Sequence, residues 1–234
     1  MSHASNVQPL EDRDVRQRDL VPPQRLAECR ALVIGVGAIG RQIAQQLAAV
    51  GIAQLDLIDF DQVAVENLAA QAYWPADLGR AKVDATADLC RSINPEIHVH
   101  AHADTFRRSS VKAMAYFRDR QHRQVVLCCV DSIATRKLIW EVLRERVALF
   151  VDGRMSAEVI RVLTAGDPAQ DNYYESTLFD ASQAYAGACT ARSTIYTDSI
   201  AAGLMVGQFT KWLRDLPLER DQTLNLLSAE LSVA

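Results

Sequence analysis

The stretch of residues 30–61, RALVIGVGAIGRQIAQQLAAVGIAQLDLIDFD, restricts the fold more than any other part of the chain. Its apolar run at 31–34 predicts a buried parallel strand. A helical repeat of apolar residues comes next and ends at Gly51, and a second apolar strand is predicted at 55–58. These elements together form one β-α-β unit of about thirty residues.

The turn after the first strand carries Gly35, Gly37 and Gly40 in the pattern G-x-G-x-x-G, and Asp59 comes directly after the second strand. Glycines allow a tight turn and a close approach of the backbone to phosphate, while the start of the helix offers free N–H groups to an anion. Asp59 is placed to accept hydrogen bonds from a ribose. The pattern therefore predicts a nucleotide site, although a purely structural turn is the alternative. NAD, FAD, S-adenosylmethionine and ATP all bind to such units.

The composition excludes several classes of protein. The chain has 234 residues, of which 49% are hydrophobic, and a net charge of −4, which argues against nonspecific binding of nucleic acid. No stretch is apolar enough to cross a membrane, since the best candidate, 200–213, contains Gln208 and Lys211. The polar N-terminus does not resemble a signal peptide. The five cysteines are odd in number and irregularly spaced, so we expect reduced thiols and a cytoplasmic location; they include no Cys-x-x-Cys pair, so we expect no structural zinc.

Strands and helices continue to alternate over the first 150 residues, which is typical of a doubly wound, mostly parallel sheet. We predict strands at 96–102, 125–130, 147–151 and 158–164, and helices at 82–93, 109–120, 133–146 and 196–213. The predicted fold class is α/β and Rossmann-like, with a C-terminal extension of a strand, a crossover loop and a helix.

The remaining segments are assigned less regular structure. Residues 61–78 are interpreted as a long, partly ordered connection, and 225–231 as either a last strand or a short helix. Residues 1–25 are expected to form a partly disordered arm, and residues 26–234 a single domain in which 165–191 is the crossover loop.

Three carboxylates stand at the ends of predicted strands, namely Asp59, Asp131 and Asp152. Ligands of open α/β sheets bind at the carboxyl ends of the strands. Mg²⁺ is commonly held by one or two carboxylates together with phosphate oxygens. The sequence therefore predicts a magnesium ion beside the nucleotide phosphates.

Six motifs in a fixed order together resemble the ubiquitin-activating (E1-like) superfamily of ThiF and MoeB adenylyltransferases. They are VIGVGAIG, IDFDQVAVENLAAQ, LGRAK, INP, CVDSIATR and CTAR. The resemblance covers residues 30–213 and implies the adenylation-domain fold. The C-terminal part resembles standalone bacterial ThiF-type proteins more than MoeB. Such proteins occur with ubiquitin-like, E2-like and deubiquitinase-like partners, including those of antiphage conjugation systems.

The resemblance implies ATP as the nucleotide and assigns roles at the glycine turn. Asp59 would bind the ribose, and Asp61 is the second acid of the same D-x-D pattern. Asn67 and Lys82 would contact the phosphates, while the backbone at Gly35, Gly37 and Gly40 would pass beneath them. Asp131 would hold Mg²⁺ and align pyrophosphate as the leaving group.

The family also places an N-terminal arginine against the ATP of a partner subunit, and the best match here is Arg16. This role implies a homodimer. Tyr73-Trp74 and the helix at 196–213 could supply an apolar interface, but they could equally belong to the core.

One position departs from the family pattern N-L-x-R-Q, because Ala70 stands where the family has a phosphate-binding arginine. The transition state of phosphoryl transfer needs positive charge. Our hypothesis from the sequence is that Arg80 or Arg154 substitutes. The alternative is that adenylation is slow or lost, as in a pseudo-E1 scaffold that only docks partners.

Cys189 is the candidate nucleophile. It lies in AGACTARSTIY, on a predicted loop before a helix, with Arg192 three residues later. The helix N-terminus and Arg192 would lower the pKa of the thiol. The C-T-x-R string is similar to the surroundings of the catalytic cysteine in eukaryotic E1 enzymes. A loop cysteine without chemistry is the alternative.

The predicted function is ATP-dependent activation of the C-terminal carboxylate of a ubiquitin-like (β-grasp) protein. Transfer to Cys189 as a thioester and handover to an E2-like or sulfur-transfer partner would come next. The alternatives are a sulfur-carrier adenylyltransferase of the ThiF/MoeB type, an NAD-dependent oxidoreductase, a pseudo-E1 scaffold and a tRNA dehydratase. We expect no nucleic-acid partner and no membrane partner.

Overall fold

A computed structural model describes residues 13–179 and 194–234, and in these ranges one eight-stranded sheet forms the centre of the fold. The strands lie in the order β3-β2-β1-β4-β5-β6-β7-β8. Their bounds are β1 Cys29–Ile34, β2 Gln54–Ile58, β3 His98–His102, β4 Arg123–Cys128, β5 Leu149–Ser156, β6 Val159–Ala165, β7 Asp221–Asn225 and β8 Glu230–Val233.

Helices connect these strands and flank the sheet. Their bounds are α1 Pro23–Ala27, α2 Ala38–Val50, α3 Val65–Gln71, α4 Lys82–Ile93, α5 Ser110–Ala113, α6 Ile133–Leu143, α7 Tyr173–Ser176 and α8 Ile195–Leu213. Two short 3₁₀ helices lie at Pro75–Asp77 and Ala115–Arg118.

The first five strands are parallel, and β6, β7 and β8 are added to them in antiparallel order. Strand order reverses beside β1, which pairs with β2 on one side and with β4 on the other. The crevice at such a reversal is where open α/β sheets bind ligands. The predicted Rossmann-like fold class is confirmed.

Alternate residues of β1 face two separate hydrophobic clusters. Ala31 and Val33 belong to the cluster under α2, α4 and α8, whereas Leu32 and Ile34 belong to the cluster that includes Trp140 of α6. All six residues of β1 are buried. This two-sided burial explains why residues 31–34 of the strand are an unbroken apolar run instead of an alternating one.

Three predicted segments differ from the structure. Residues 109–120 are not one helix, because Met114 adopts an extended backbone (φ −78°, ψ 134°) between α5 and a 3₁₀ turn. That break allows Tyr116 to be buried completely against the sheet. Residues 61–78 contain the regular helix α3. Residues 225–231 are neither one strand nor a helix, because they comprise the last residue of β7, the turn at 226–229 and the first two residues of β8.

The described part of the N-terminal arm is bound to the far end of α2. Arg13 Nη2 donates to the carbonyls of Ala48 and Ala49 at 2.7 and 2.9 Å, and Gln17 Nε2 donates to that of Val50 at 3.1 Å. These side chains bind carbonyls of the last helical turn, where intrahelical donors run out, although the carbonyl of Ala48 also accepts the amide of Gly51. The arm is thereby held at the opposite end of α2 from the glycine turn.

Candidate functional site

The glycine turn lies at the carboxyl end of β1 and depends on two of its glycines for steric reasons. Gly35 has φ +86°, and a Cβ there would lie 2.9 Å from the carbonyl oxygen of Cys129. A Cβ on Gly40 would lie 1.9 Å from the carbonyl oxygen of Gly35. A side chain at Gly35 would collide with the backbone that follows β4, and one at Gly40 would force α2 away from the turn, so both glycines are required by the fold itself.

Gly37 differs from these two, because the fold does not need it. It precedes α2, and a Cβ there would meet only the Gln71 side chain, at 3.8 Å or more. The first turn of a helix leaves N–H groups without intrahelical acceptors and carries a partial positive charge. A glycine that keeps this end of α2 open is what close approach by a phosphate requires.

Asp59 lies against the glycine turn, directly after β2. Its Oδ2 accepts a hydrogen bond from the amide of Val36 at 2.6 Å, and its Oδ1 accepts one from the amide of Asp61 at 2.8 Å. Its side chain is half-buried. The carboxylate is therefore fixed at the mouth of the crevice, where a ribose would lie if phosphates occupied the start of α2.

Lys82 is a buried cation at the start of α4. It is 5% exposed, and its Nζ lies 2.9 Å from Oδ2 of Asp61. Its amide also donates to the carbonyl of Asp61 at 3.0 Å. The Asp61 side chain is 45% exposed, so Lys82 has a partner that solvent could also stabilise if the lysine bound an anion instead.

Asn67 lies in the first turn of α3, and its carbonyl oxygen Oδ1 accepts the amide of Ala64 at 2.9 Å. This bond fixes the amide orientation and leaves the side-chain NH₂ without a hydrogen-bond acceptor among the described residues. Asn67, Asp61 and Lys82 thus belong to segments that converge on the connection after β2.

Asp131 comes after β4 and is exposed, whereas Asp152, which the sequence placed at a strand end, lies within β5 and is fully buried. The predicted end of this strand before Asp152 is therefore wrong, and the carboxylate of Asp152 is buried in the core. Its carboxylate binds Arg136, the Arg154 Nε at 2.7 Å and the Tyr174 hydroxyl at 3.1 Å. A carboxylate with three donors in the core is a structural group.

Both arginines proposed to replace the missing arginine at position 70 already form ion pairs with other residues. Arg154 is bound to Asp152 and to Thr177, whose carbonyl and hydroxyl lie 2.9 and 3.0 Å from its Nη atoms. Arg80 binds Asp77 at 3.0 Å and Asp88 at 2.5 Å on the outer side of α4. Either residue would have to break ion pairs to reach a phosphate.

Cys189 and Arg192 lie in 180–193, outside the described residues. The described cysteines are poor nucleophiles, because burial raises the pKa of Cys29 to about 11 and that of Cys90 to about 12. Burial also raises the pKa of Cys128, which lies inside β4. Core thiols of this kind are inert.

Sequence reasoning did not assign two residues beside the turn, Tyr73 and Arg41, to the nucleotide site. Tyr73 was paired with Trp74 as a possible interface, but Tyr73 is 3% exposed and Trp74 is 56% exposed. The Tyr73 hydroxyl donates to the carbonyl of Val36 at 2.7 Å. Arg41 is buried in α2, with its guanidinium carbon 4.0 Å from the centre of the Tyr73 ring. The sequence signal that could have identified Arg41 is a charged residue directly after the glycine motif, within a buried helix.

The described ranges contain neither a candidate membrane span nor a cluster of metal-binding side chains. Among residues 13–179 and 194–234, no helix is both long and apolar enough to span a bilayer. In the same ranges, no three His, Cys, Asp or Glu side chains are grouped closely enough to hold a metal ion by themselves.

The family model described as "ThiF family" matches residues 12–231. The chain is 26% identical over 208 residues to ubiquitin-like modifier-activating enzyme 5 of Branchiostoma floridae, covering 81% of this chain and 51% of that protein. It is 34% identical over 126 residues to molybdopterin-synthase adenylyltransferase of Salmonella typhimurium, covering 52% of this chain and 47% of that protein. The chain thus spans about half or less of these relatives.

Solved structures with similar folds include two of low sequence identity. The crystal structure of PaaA superposes with a TM-score of 0.76 at 20% identity, covering all of this chain and 77% of that one. The structure of E. coli MccB with ATP gives a TM-score of 0.71 at 16% identity, covering 90% of this chain and 65% of that one. At these identities the likeness concerns the fold.

Proposed function

The chain belongs to the ThiF family, and on that premise we propose that it binds ATP at the glycine turn and adenylates a protein C-terminus. The observation that carries this proposal is the convergence of three groups on one crevice. These are the open start of α2 at Gly37, the fixed carboxylate of Asp59 and the buried cation Lys82. Asp59 matches the ribose of ATP, and the start of α2 and Lys82 match two contacts to its phosphates.

The proposed reaction needs little covalent chemistry from the protein. A carboxylate oxygen of the substrate attacks the α-phosphorus of ATP and forms a new O–P bond. The bond between the α-phosphorus and the bridging oxygen breaks, and pyrophosphate leaves with the electron pair. Positioning and charge neutralisation account for most of the catalysis in such a step. Lys82 is suited to this task, because exchanging its partner Asp61 for a phosphate oxygen costs little at an exposed carboxylate.

Asp131 fits a role in holding Mg²⁺. It is an exposed carboxylate after β4, next to the strand that ends in the glycine turn. Mg²⁺ prefers oxygen ligands and is commonly bound by one or two carboxylates together with phosphate oxygens and water. The ion would offset the charge that develops on the leaving pyrophosphate.

The substrate that we propose is the C-terminal tail of a ubiquitin-like β-grasp protein. The support is the name of the relative ubiquitin-like modifier-activating enzyme 5, which matches 81% of this chain. A sulfur-carrier protein is the second candidate, because molybdopterin-synthase adenylyltransferase and the adenylyltransferase and sulfurtransferase MOCS3 of Drosophila willistoni are also relatives. The two candidates share the adenylation step and differ in the fate of the acyl-adenylate.

For the ubiquitin-like substrate, the next step would use Cys189. Its thiolate would attack the acyl carbon of the adenylate, forming a C–S bond while the C–O bond to phosphate breaks and AMP leaves. The thioester would then pass to an E2-like protein. Arg192, three residues later, would favour the thiolate.

We also propose that two copies form a dimer in which Arg16 serves the partner's nucleotide. The arm is attached at the carboxyl end of α2, which has 13 residues and therefore lies roughly 20 Å from the glycine turn of the same chain. Arg16 is exposed. An arm held at that distance is better placed to serve a neighbouring copy than its own site.

Nucleotide protection followed by exchange kinetics tests the proposal. ATP with Mg²⁺ should raise the melting temperature, and NAD(H) should not; the opposite result would favour a dehydrogenase. With a β-grasp protein encoded beside this gene, we expect ATP–pyrophosphate exchange. Lys82→Met should lower kcat by roughly 10²–10³-fold, the range for losing one stabilising group of a developing charge. Lys112→Met, on a surface helix, is the matched control.

A further inference from the structure

Arg41 is a buried cation without a direct ion pair; the Asp77 carboxylate, which binds Arg80, acts on it only from beyond 4.0 Å. Arg41 is 1% exposed, and no carboxylate of the described ranges lies within 4.0 Å of its guanidinium. The other buried cations of the described chain are each paired: Arg30 with Asp56, Lys82 with Asp61 and Arg136 with Asp152. Burying an unpaired charge is costly, so such a group is expected to have a counter-charge in some state of the protein.

The hydrogen bonds of Arg41 join the glycine helix to the end of α3. Its Nε and Nη2 donate to the carbonyl of Ala72 at 3.3 and 3.1 Å, and its Nη1 donates to the hydroxyl of Thr86 at 3.2 Å. Ala72 ends α3 in the left-handed conformation, with φ 57°. Thr86 belongs to α4, whose first residue is Lys82. One guanidinium therefore fixes three helices around the site.

Tyr73 connects this guanidinium to the glycine turn. The charge lies 4.0 Å from the ring centre, and the hydroxyl of the same ring donates to the carbonyl of Val36 at 2.7 Å. The cation is thus separated from the turn by one aromatic side chain. Burial lowers the pKa of Arg41 but leaves a guanidinium protonated near neutral pH. In such surroundings a charge acts strongly over several ångströms, because little water screens it.

Resting on the proposed function, we propose that Arg41 is the arginine that serves the nucleotide phosphates in place of the one missing at position 70. Ala70 lies in α3, two residues before the carbonyl that Arg41 binds. Compared with the family pattern, the positive charge is carried by α2 instead of α3, but it still lies at the C-terminal end of α3. Arg41 acts as a positioning residue, because it holds α3 and Tyr73 over the glycine turn, and the triphosphate supplies its counter-charge.

The test measures the KM for ATP and the kcat of ATP–pyrophosphate exchange, together with melting temperatures with and without ATP·Mg²⁺. Arg41→Met removes the charge at similar size, and Arg41→Lys keeps it. Arg41→Met combined with Ala70→Arg returns a charge to α3. Arg30→Met is the matched control, because it removes a buried arginine at the opposite end of β1.

We expect Arg41→Met to raise the KM for ATP roughly tenfold or more, as loss of one poorly screened charge predicts. Arg41→Lys should stay within about threefold of wild type, and Ala70→Arg should restore most of the lost affinity in the Arg41→Met background. Arg30→Met should lower the melting temperature without changing the KM. Unchanged KM in a folded Arg41→Met variant, or no rescue by Ala70→Arg, would overturn the inference.

The single variant Ala70→Arg keeps the test decisive if Arg41→Met does not fold. If Arg41 already serves the site, Ala70→Arg should change the KM for ATP by less than about threefold; a large gain in affinity would mean that the site lacks a cation and would refute the role of Arg41. Wild-type protein that neither binds ATP nor catalyses exchange would instead refute the proposed function, whatever the variants do.

Discussion

The carboxylate of Asp59 accepts the amide of Val36 at 2.6 Å, so the end of β2 is bound directly to the glycine turn after β1. The same carboxylate accepts the amide of Asp61 at 2.8 Å. One side chain therefore holds together the two loops between which a nucleotide would lie. Its oxygens have remaining lone pairs that can accept ribose hydroxyls.

Replacing Asp59 should affect both stability and nucleotide binding. Asp59→Ala leaves two amides without their acceptor, so we expect a loss of about 1–3 kcal/mol in the free energy of unfolding. Asp59→Asn keeps one carbonyl oxygen and should lose less stability, yet the KM for ATP should rise roughly tenfold because the charged acceptor is gone. Urea unfolding and exchange kinetics measure the two effects. An Asp59→Asn variant with unchanged KM would contradict the ribose role, and Asp104→Asn, at an exposed loop, serves as control.

The glycines of the turn should separate into two classes on substitution. Gly40→Ala places a Cβ 1.9 Å from the carbonyl oxygen of Gly35, and the backbone must move, so we expect severe loss of stability. Gly37→Ala meets only the Gln71 side chain and should change the free energy of unfolding by less than about 1 kcal/mol. ATP should nevertheless bind much more weakly to Gly37→Ala. Thermal melts with and without ATP·Mg²⁺ would show it, and normal protection of Gly37→Ala would argue against phosphate at this position.

Complementation between two inactive variants tests the dimer. Arg16→Ala lacks the arginine, and Lys82→Met lacks the lysine of the crevice. If Arg16 acts in the partner's site, one site of each mixed dimer is complete. Random mixing should then restore about a quarter of wild-type exchange, since half of the dimers are mixed and each holds one complete site of two. Recovery that stays at the level of the separate variants would exclude action across the interface.

Thiol labelling should single out one cysteine. At pH 8, a pKa of about 11 leaves roughly 0.1% of Cys29 as thiolate, and the pKa of Cys90, about 12, leaves less. Because both pKa values are raised, labelling of these residues should increase only as the pH rises toward 11. Iodoacetamide at pH 8 should therefore modify Cys189 first in the native protein, as peptide mass spectrometry can measure. Faster labelling of Cys29 or Cys90 would show that the native core opens.

Cys189→Ala separates the two steps of the proposed reaction. Pyrophosphate exchange should persist, because the thiol is not needed for adenylation, while a covalent adduct that excess free thiol cleaves should disappear. An adduct that persists in the variant would refute the thioester role of Cys189.

The sequence by itself determined the elements that depend on local pattern. The apolar runs of β1 and β2, the glycine turn and the helix α4 beginning at Lys82 were all predicted near their observed bounds. These features arise from hydrophobic period and from backbone conformations that only certain residues adopt, and both are properties of neighbours in the chain. The motif order was also sufficient to indicate the family, which the match over residues 12–231 confirms.

Only the tertiary structure decided which charged groups remain available. Asp152 and Arg154 have the residue types of a phosphate site, yet they form a buried ion pair, whereas Arg41 was overlooked and lies unpaired beside the turn. Which charges pair depends on which side chains meet in space. Asp152 and Arg154 meet their partners across β5, α6 and α7, and Arg41 meets its neighbours across α2, α3 and α4. The distance between these residues along the chain does not predict those contacts. A charge is fixed by its residue type, but its counter-charge is fixed by packing.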